Sequence, residues 1–423
     1  MTLRSNEAGS TRDHIASLLR QRTRGRALPA AFFRDDALFA AEVDLIFRRH
    51  WLFVASEPEL PEAGDYVALS IGTAPIVLLR QDDGSISAFH NTCRHRGSLI
   101  LQKPKGVIGA QIVCPYHRWA YDTSGRVVSC GTSGNELGAG LHLEPVHVRT
   151  LAGLVFVCLA EEPPADFGDM AAAMSPYLVP HDLVHTKIAK QVDLIEHGNW
   201  KLTIENNREC FHCAGHPELL RSLFHFTGDV TESSLKPEEH AIHTRYKGAR
   251  DAHIARCNEL GVPWERIDRL SDRTTAFVAE RLPLDGHGES LTMDSRAASR
   301  RLLGTLREPK LGSLHLHTQP NSWHHFLSDH AITFSALPLD RERTLVRTTW
   351  LVHQDATEGE DYDLENLTRV WAATNAQDAA FVEGTQRGVL SPAYAPGPLA
   401  ETEFMVELFH GWYEQRLVAG LDL

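Results

Sequence analysis

Two short stretches each place a thiol beside an imidazole: Cys93-Arg-His95 and Cys114-Pro-Tyr-His117, with eighteen residues between His95 and Cys114. Two cysteines and two histidines form a valid tetrahedral zinc set. Structural zinc fingers, however, usually pair Cys with Cys and His with His. Two mixed loops suit a two-iron cluster in which one iron takes both thiolates and the other both imidazoles. Replacing two thiolates by imidazoles removes negative charge, raises the reduction potential and favours electron delivery. Gly97 and Pro115 fit tight loops around such a group.

A second group follows in Trp200–Pro217, which reads as a helix ended by the proline. Glu205, Glu209, His212 and His216 fall at i, i+4, i+7 and i+11 and would line one stripe. An ordinary solvated face would carry Lys and Arg beside them; the flanks are Cys210, Phe211 and Cys213, so the stripe is expected to be buried. Two histidines four apart on one face can share a metal. A third ligand is available on a late helix whose apolar stripe runs Leu367, Val370, Trp371, Thr374, Phe381 and Val382. Asp378 lies on that stripe and Glu383 near its edge. A buried carboxylate must be paired with a cation or bound to a metal. With His212 and His216 it would complete the two-histidine, one-carboxylate set of non-heme Fe(II) oxygenases, which leaves positions open for O₂ and substrate.

The rest of the chain must position these groups. It has 423 residues, 24 of them His, and a formal net charge of −13. Such an acidic chain is a poor general partner for nucleic acid or anionic membrane. The longest clean apolar run, Leu151–Ala160, is about half a membrane span. The first 26 residues carry six Arg and no apolar core, so no secretory signal is expected and the protein reads as cytoplasmic. Seven scattered cysteines argue against a disulfide framework and for metal or catalytic thiolates. Phosphate-loop, nucleophile-elbow and dinucleotide motifs are missing from the sequence, so NAD(P)H and flavin would act through a separate reductase. The fold class is α+β. Residues 1–50 read as a helical segment packing on the catalytic domain, 51–165 as an all-β module, and 180–423 as a mixed catalytic domain. Residues 199–224 and 364–386 are its best helices, and 311–353 reads as three antiparallel strands, Ser313–Thr318, His330–Leu337 and Leu345–Gln354.

The Cys-Arg-His-Arg-Gly and Cys-Pro-Tyr-His-Arg-Trp pair resembles the Rieske [2Fe–2S] domain of ring-hydroxylating and N-demethylating oxygenases. Asn199–Pro217 and Gln377–Gly388 resemble the catalytic domain of the same family, although three residues rather than four separate the two histidines. The resemblance implies that Cys93 and Cys114 hold one iron of the cluster and His95 and His117 the other. It implies that His212, His216 and Asp378 hold a mononuclear Fe(II). It also implies a helix-grip catalytic domain with an antiparallel sheet, and a head-to-tail homotrimer. In that trimer Glu209 would bridge His212 to the partner subunit's His117 and carry the electron across. The Glu209–Cys213 wording and Asn321–Phe326 are most similar to the quaternary-ammonium branch. The implied reaction is hydroxylation of an N-methyl group, above all that of glycine betaine, giving dimethylglycine and formaldehyde from O₂ and the electrons of a ferredoxin-type flavin reductase. Proline betaine, choline, carnitine and an aromatic acid are alternative substrates. Aromatic faces hold a trimethylammonium group, and Phe211, Trp323, Phe326, Phe334, Trp350, Phe404, Phe409, Trp412 and Tyr413 are available. His315 and His317 alternate on a strand, share a face and could receive the substrate carboxylate. A bare electron carrier and a zinc-stabilised betaine-binding protein are the rival classes.

Overall fold

The computed structural model describes residues 5–131, 134–225 and 235–423. The chain divides into two units, residues 47–165 and residues 1–46 with 166–423. In the first unit, β-branched and aromatic runs broken by turn residues form strands Leu52–Ser56 (β1), Asp65–Ile71 (β2), Ala74–Arg80 (β3), Ile86–His90 (β4), Lys105–Val107 (β5), Ile112–Val113 (β6), Ala120–Tyr121 (β7), Val127–Ser129 (β8), Pro145–Leu151 (β9) and Leu154–Cys158 (β10). They make a seven-stranded sheet in the order β1-β10-β9-β4-β3-β2-β5 and a small sheet β6-β7-β8. Gly125, in the turn joining β7 to β8, has φ +86°, and an added Cβ would lie 2.8 Å from the Phe89 ring, so only glycine fits.

The second unit is built on a seven-stranded antiparallel sheet: Thr186–Glu196 (β11), Ile267–Arg269 (β12), Phe277–Leu282 (β13), Ser313–Thr318 (β14), Ser322–Phe326 (β15), His330–Asp340 (β16) and Arg343–His353 (β17). Their order is β11-β17-β16-β15-β14-β13-β12. The helices are Ser5–Leu19 (α1), Ala31–Arg34 (α2), Asp36–Glu42 (α3), Phe167–Leu178 (α4), Trp200–Asn207 (α5), His240–Leu260 (α6), Leu364–Val389 (α7) and Phe404–Leu421 (α8). Directly opposed residues of an antiparallel pair share a face. The pairs His315–His325, His317–Trp323, Trp323–Phe334 and Phe334–Thr348 therefore set all six residues on one face. Helix α7 covers that face: Trp371 lies 4.5 Å from the His325 ring and 5.0 Å from Phe334, and Asn375 donates to Thr348 Oγ1 at 2.9 Å.

Helix α5 begins where Asn199 accepts from the Lys201 amide at 3.1 Å and is tied to α7 by Asn199 N–H to Gln386 at 2.9 Å. Gly198 permits the approach, since a Cβ there would lie 2.4 Å from Val382 Cγ1. From its far side, buried Lys201 pairs with buried Glu42 of α3 at 2.7 Å, and Trp200 and Tyr413 donate to the same carboxylate at 2.8 and 2.5 Å.

Three expectations are corrected here. The 199–224 helix stops at Asn207; one 3-10 turn, His212–Gly215, and another, Leu219–Arg221, follow irregular backbone. Asn206-Asn207 are weak helix formers, and Pro217 bars the helical conformation at His216, which has φ −105° and ψ 85°. Residues 311–353 contain a further strand, β15; all five of its residues are buried, so it lacks the polar alternation that would mark it. Among the described residues, one disulfide joins Cys210 and Cys213, where free or metal-bound thiolates were expected.

Candidate active site

In the first unit, the loop after β4 closes through Cys93 N–H to Ser98 O at 2.8 Å and Gly97 N–H to Cys93 O at 2.9 Å, with Gly97 at φ +72°. The loop after β6 closes through Cys114 N–H to Trp119 O at 2.8 Å and Arg118 N–H to Cys114 O at 3.1 Å. Both thiols are buried in the module's core, while His95 is exposed and His117 half-buried. The two imidazole rings are 4.7 Å apart, and His95 stacks on Trp119 at 5.0 Å. Burial and the neighbouring Cys114 raise the Cys93 pKa, opposed by a 3.1 Å contact with the Tyr121 hydroxyl. Burial holds that phenol well above its usual range, so it keeps its proton for a thiolate. A pair of buried thiols facing a pair of surface imidazoles fits the donor set of a mixed two-iron cluster.

In the second unit, the turn after α5 brings His212 and His216 to Asp378 of α7. His212 Nε2 is 3.3 Å and His216 Nε2 3.4 Å from the same carboxylate oxygen, and the rings lie 5.2 Å apart. The His212 Nδ1 atom meets Glu209 at 2.5 Å, and the other Glu209 oxygen accepts the Phe211 amide at 2.5 Å, bracing the turn. Phe381 walls the site, its ring 5.9 and 5.7 Å from the two imidazoles. Burial disfavours charge on His212, but Asp378 and Glu209 outweigh it and lift its pKa to about 9. His216 is held below its usual value by burial and then by His212, against the pull of Asp378. Both nitrogens of His216 and Oδ1 of Asp378 are buried without a hydrogen-bond partner among the described residues. A buried imidazole and carboxylate oxygen left unsatisfied, converging with a second imidazole, fit a divalent metal's demand for donors. Cys213 also lies within 4.8 Å of both imidazoles, but its sulfur is committed to Cys210.

Glu205 leaves the expected stripe and meets His410 of α8 at 2.8 Å, because the chain stops being helical before Glu209. Trp323, Phe334 and Trp350 lie on the sheet face that α7 covers. Phe326 faces the other way, 5.6 Å from His181, Phe409 and Tyr413 pack around Trp200, and Phe211 is exposed. Four participants were not read as site residues in the sequence, Trp371 having been placed only on the apolar stripe of the late helix. Trp371 completes the aromatic face. Glu196 is lifted to about 7 by burial and by Asp378 and Glu383, although Thr203 donates to it at 2.6 Å. Arg208 and Gln319 meet beneath His317. The only sequence signal for Arg208 is a cation set between helix-breaking asparagines and the Glu209–His212 turn.

Residues 185–419 match the catalytic domain of the ring hydroxylating alpha subunit, and residues 50–139 match the Rieske [2Fe–2S] domain. The chain is 43% identical over 417 residues to the glycine betaine monooxygenase oxygenase subunit of Chromohalobacter salexigens, covering 98% of this chain and 91% of that protein. It is 40% identical to the subunit of the same description from Pseudomonas aeruginosa, covering 97% and 93%. Among solved structures, the quaternary ammonium Rieske monooxygenase CntA in complex with gamma-butyrobetaine shares the fold, with a TM-score of 0.66 at 18% identity, covering 95% of this chain and 98% of that one. Naphthalene 1,2-dioxygenase gives 0.65 at 21% identity, covering 95% of both chains. The chain therefore belongs to the Rieske oxygenase alpha subunits. It is an oxidoreductase whose cofactors are a Rieske [2Fe–2S] cluster and a mononuclear iron, and it acts on a small substrate with O₂ and a separate reductase. The α+β expectation, a Rieske domain and a helix-grip catalytic domain, holds. No described helix is long and apolar enough to cross a membrane.

Proposed function

We propose that this chain hydroxylates an N-methyl group of glycine betaine, releasing dimethylglycine and formaldehyde. The observation that carries the reading is its 43% identity, over 98% of its length, to a glycine betaine monooxygenase oxygenase subunit. In this reading Cys93, Cys114, His95 and His117 hold the cluster, and His212, His216 and Asp378 hold the mononuclear iron. The cluster supplies electrons singly and the mononuclear iron supplies O₂ activation. Glu209 fixes the His212 ring through Nδ1 and is the link to a neighbouring subunit in a homotrimer. Trp323, Phe334 and Trp371 offer the trimethylammonium group π faces worth about 0.5–2 kcal/mol each. The buried sheet face keeps water from the reacting carbon, while Phe381, itself largely exposed, stands at the rim of the two imidazoles. One oxygen atom of O₂ enters a C–H bond of the methyl group; the other leaves as water with two electrons and two protons. The resulting carbinolamine breaks its C–N bond, losing formaldehyde and a proton. The reductase is a cytoplasmic ferredoxin-type flavoprotein that oxidises NAD(P)H. The test is formaldehyde release by the anaerobically purified protein with such a reductase and NADH. Glycine betaine, proline betaine, choline, carnitine and benzoate are offered in parallel; formaldehyde matched by dimethylglycine from glycine betaine supports the reading. NADH consumption without formaldehyde from any amine overturns it.

A further inference from the structure

Arg208 caps α5, four residues before His212, and its side chain is almost wholly buried. Its guanidinium lies against the sheet face that α7 covers: Nη1 donates to His317 Nδ1 at 3.0 Å and to Asn207 Oδ1 at 2.7 Å, and Nη2 to Gln319 Oε1 at 3.3 Å. Every one of these acceptors is neutral. Among the described residues no carboxylate is paired with it, and Nε has no acceptor. Buried guanidinium groups are ordinarily paired with anions, because an isolated charge loses its hydration without recompense. Burial alone pulls this group down to about 9. The groups around it are donors too. Among the described residues the Gln319 amide nitrogen is buried without a partner, its oxygen being turned to Arg208. His317, accepting at Nδ1, carries its proton on Nε2.

We propose that Arg208, with Gln319 and His317, is the receptor for the carboxylate of the substrate, holding the acid end while the methylammonium end lies on the aromatic face toward Asp378. A guanidinium fork matches a carboxylate with two parallel N–H bonds. The placement is consistent: His317 is opposite Trp323, Trp323 stacks on Phe334 at 5.2 Å, and Phe334 meets Trp371, two helical turns before Asp378. A single methylene separates the carboxylate of a glycine betaine from its nitrogen, so anchor and cage must adjoin. The inference rests on the betaine reading of the site and refines it: the acid, not the cation alone, selects the substrate.

The test uses the holoenzyme with two probes that divide the substrate. The first, 3,3-dimethylbutyrate, keeps the carboxylate and shape but replaces nitrogen by carbon; choline keeps the cation and lacks the acid. Arg208→Gln removes the charge; Gln319→Glu supplies an internal anion at an oxygen already bonded to Arg208. Calorimetric titration is expected to show at least tenfold weaker 3,3-dimethylbutyrate binding in both variants, with choline binding changed less than twofold. The KM for glycine betaine should rise at least tenfold while kcat falls less. Gln319→Glu should also melt at a higher temperature than the parent, so it serves even if Arg208→Gln does not fold. A raised melting point with unchanged KM and unchanged carboxylate binding overturns the proposal, since Arg208 would then be structural only. Failure of the betaine reading is separable: the parent would bind 3,3-dimethylbutyrate in an Arg208-dependent way yet release no formaldehyde from glycine betaine. Absence of both from the parent overturns both.

Discussion

At the scale of single residues, the pair of histidines is made unequal by its surroundings. His212 has a carboxylate at each nitrogen, and these lift it to about 9 despite burial; His216 is fully buried, has no hydrogen-bond partner among the described residues and is held low. A metal takes the neutral ring, so binding must displace the proton of His212. Below its pKa the proton competes; above it the competition ends. The Fe(II) or Co(II) affinity of metal-free protein should therefore rise about tenfold per pH unit up to about 9 and then level, with close to one proton released per metal. A pH-independent affinity would contradict the assignment of His212. Asp378→Asn removes the oxygen both imidazoles face. It should lower formaldehyde release by more than the roughly 10–100-fold that outer partners of metal ligands cost, while the visible cluster spectrum remains. Loss of the cluster colour in this variant would tie Asp378 to the wrong centre.

At the scale of elements, the site depends on how α5 ends. The types and spacing of Cys93, His95, Cys114 and His117 were legible because each pair lies within one tight loop, where sequence distance and spatial distance agree. Asp378 was legible because it follows buried Thr374 by four residues on a long amphipathic helix, where it lies half-buried at the edge of the stripe; Phe381, expected on that stripe, is exposed. The His212–His216 turn was not, since Asn206-Asn207 and Pro217 override the helical spacing of Glu205, Glu209, His212 and His216. Nor was β15, whose Ser322, His324 and His325 are buried by neighbours far away in the chain. The same long-range dependence holds α5 itself: Glu42, some 160 residues earlier, accepts from Lys201, Trp200 and Tyr413 within the core. Burial pulls the Lys201 pKa down while Glu42 pulls it up. Removing one partner strands the other, so Glu42→Gln should destabilise the protein by about 3–5 kcal/mol in urea unfolding. Adding Lys201→Met to it should restore part of that loss. A cost below about 1 kcal/mol for Glu42→Gln would mean that water or rearrangement already satisfies Lys201.

At the scale of the whole molecule, the two donor sets belong to different units of the chain, Cys93–His117 to one and His212–Asp378 to the other. Each can be disabled alone. Cys93→Ser should lose the visible cluster spectrum and keep the mononuclear site; Asp378→Asn should do the reverse; neither should release formaldehyde. The proposed homotrimer makes a sharper demand when the two variants are co-expressed. In a head-to-tail ring each mononuclear site draws on its neighbour's cluster, so the useful pairing is a Cys93→Ser chain, with its iron site intact, beside an Asp378→Asn chain, with its cluster intact. Random mixing puts the first at half of all positions and the second beside it half the time, so activity should return to about one quarter of the parent's. If electrons instead pass within one chain, no mixed assembly contains a complete path and activity stays at zero. Intermediate values separate from these through the mixing ratio: with inter-chain transfer the recovered activity follows the product of the two variant fractions and peaks at equal amounts, whereas contamination by parental chain follows neither. Adding Glu209→Gln to the Cys93→Ser chain, whose His212 must receive the electron, should then suppress the recovery, while the same change in the Asp378→Asn chain should leave it intact.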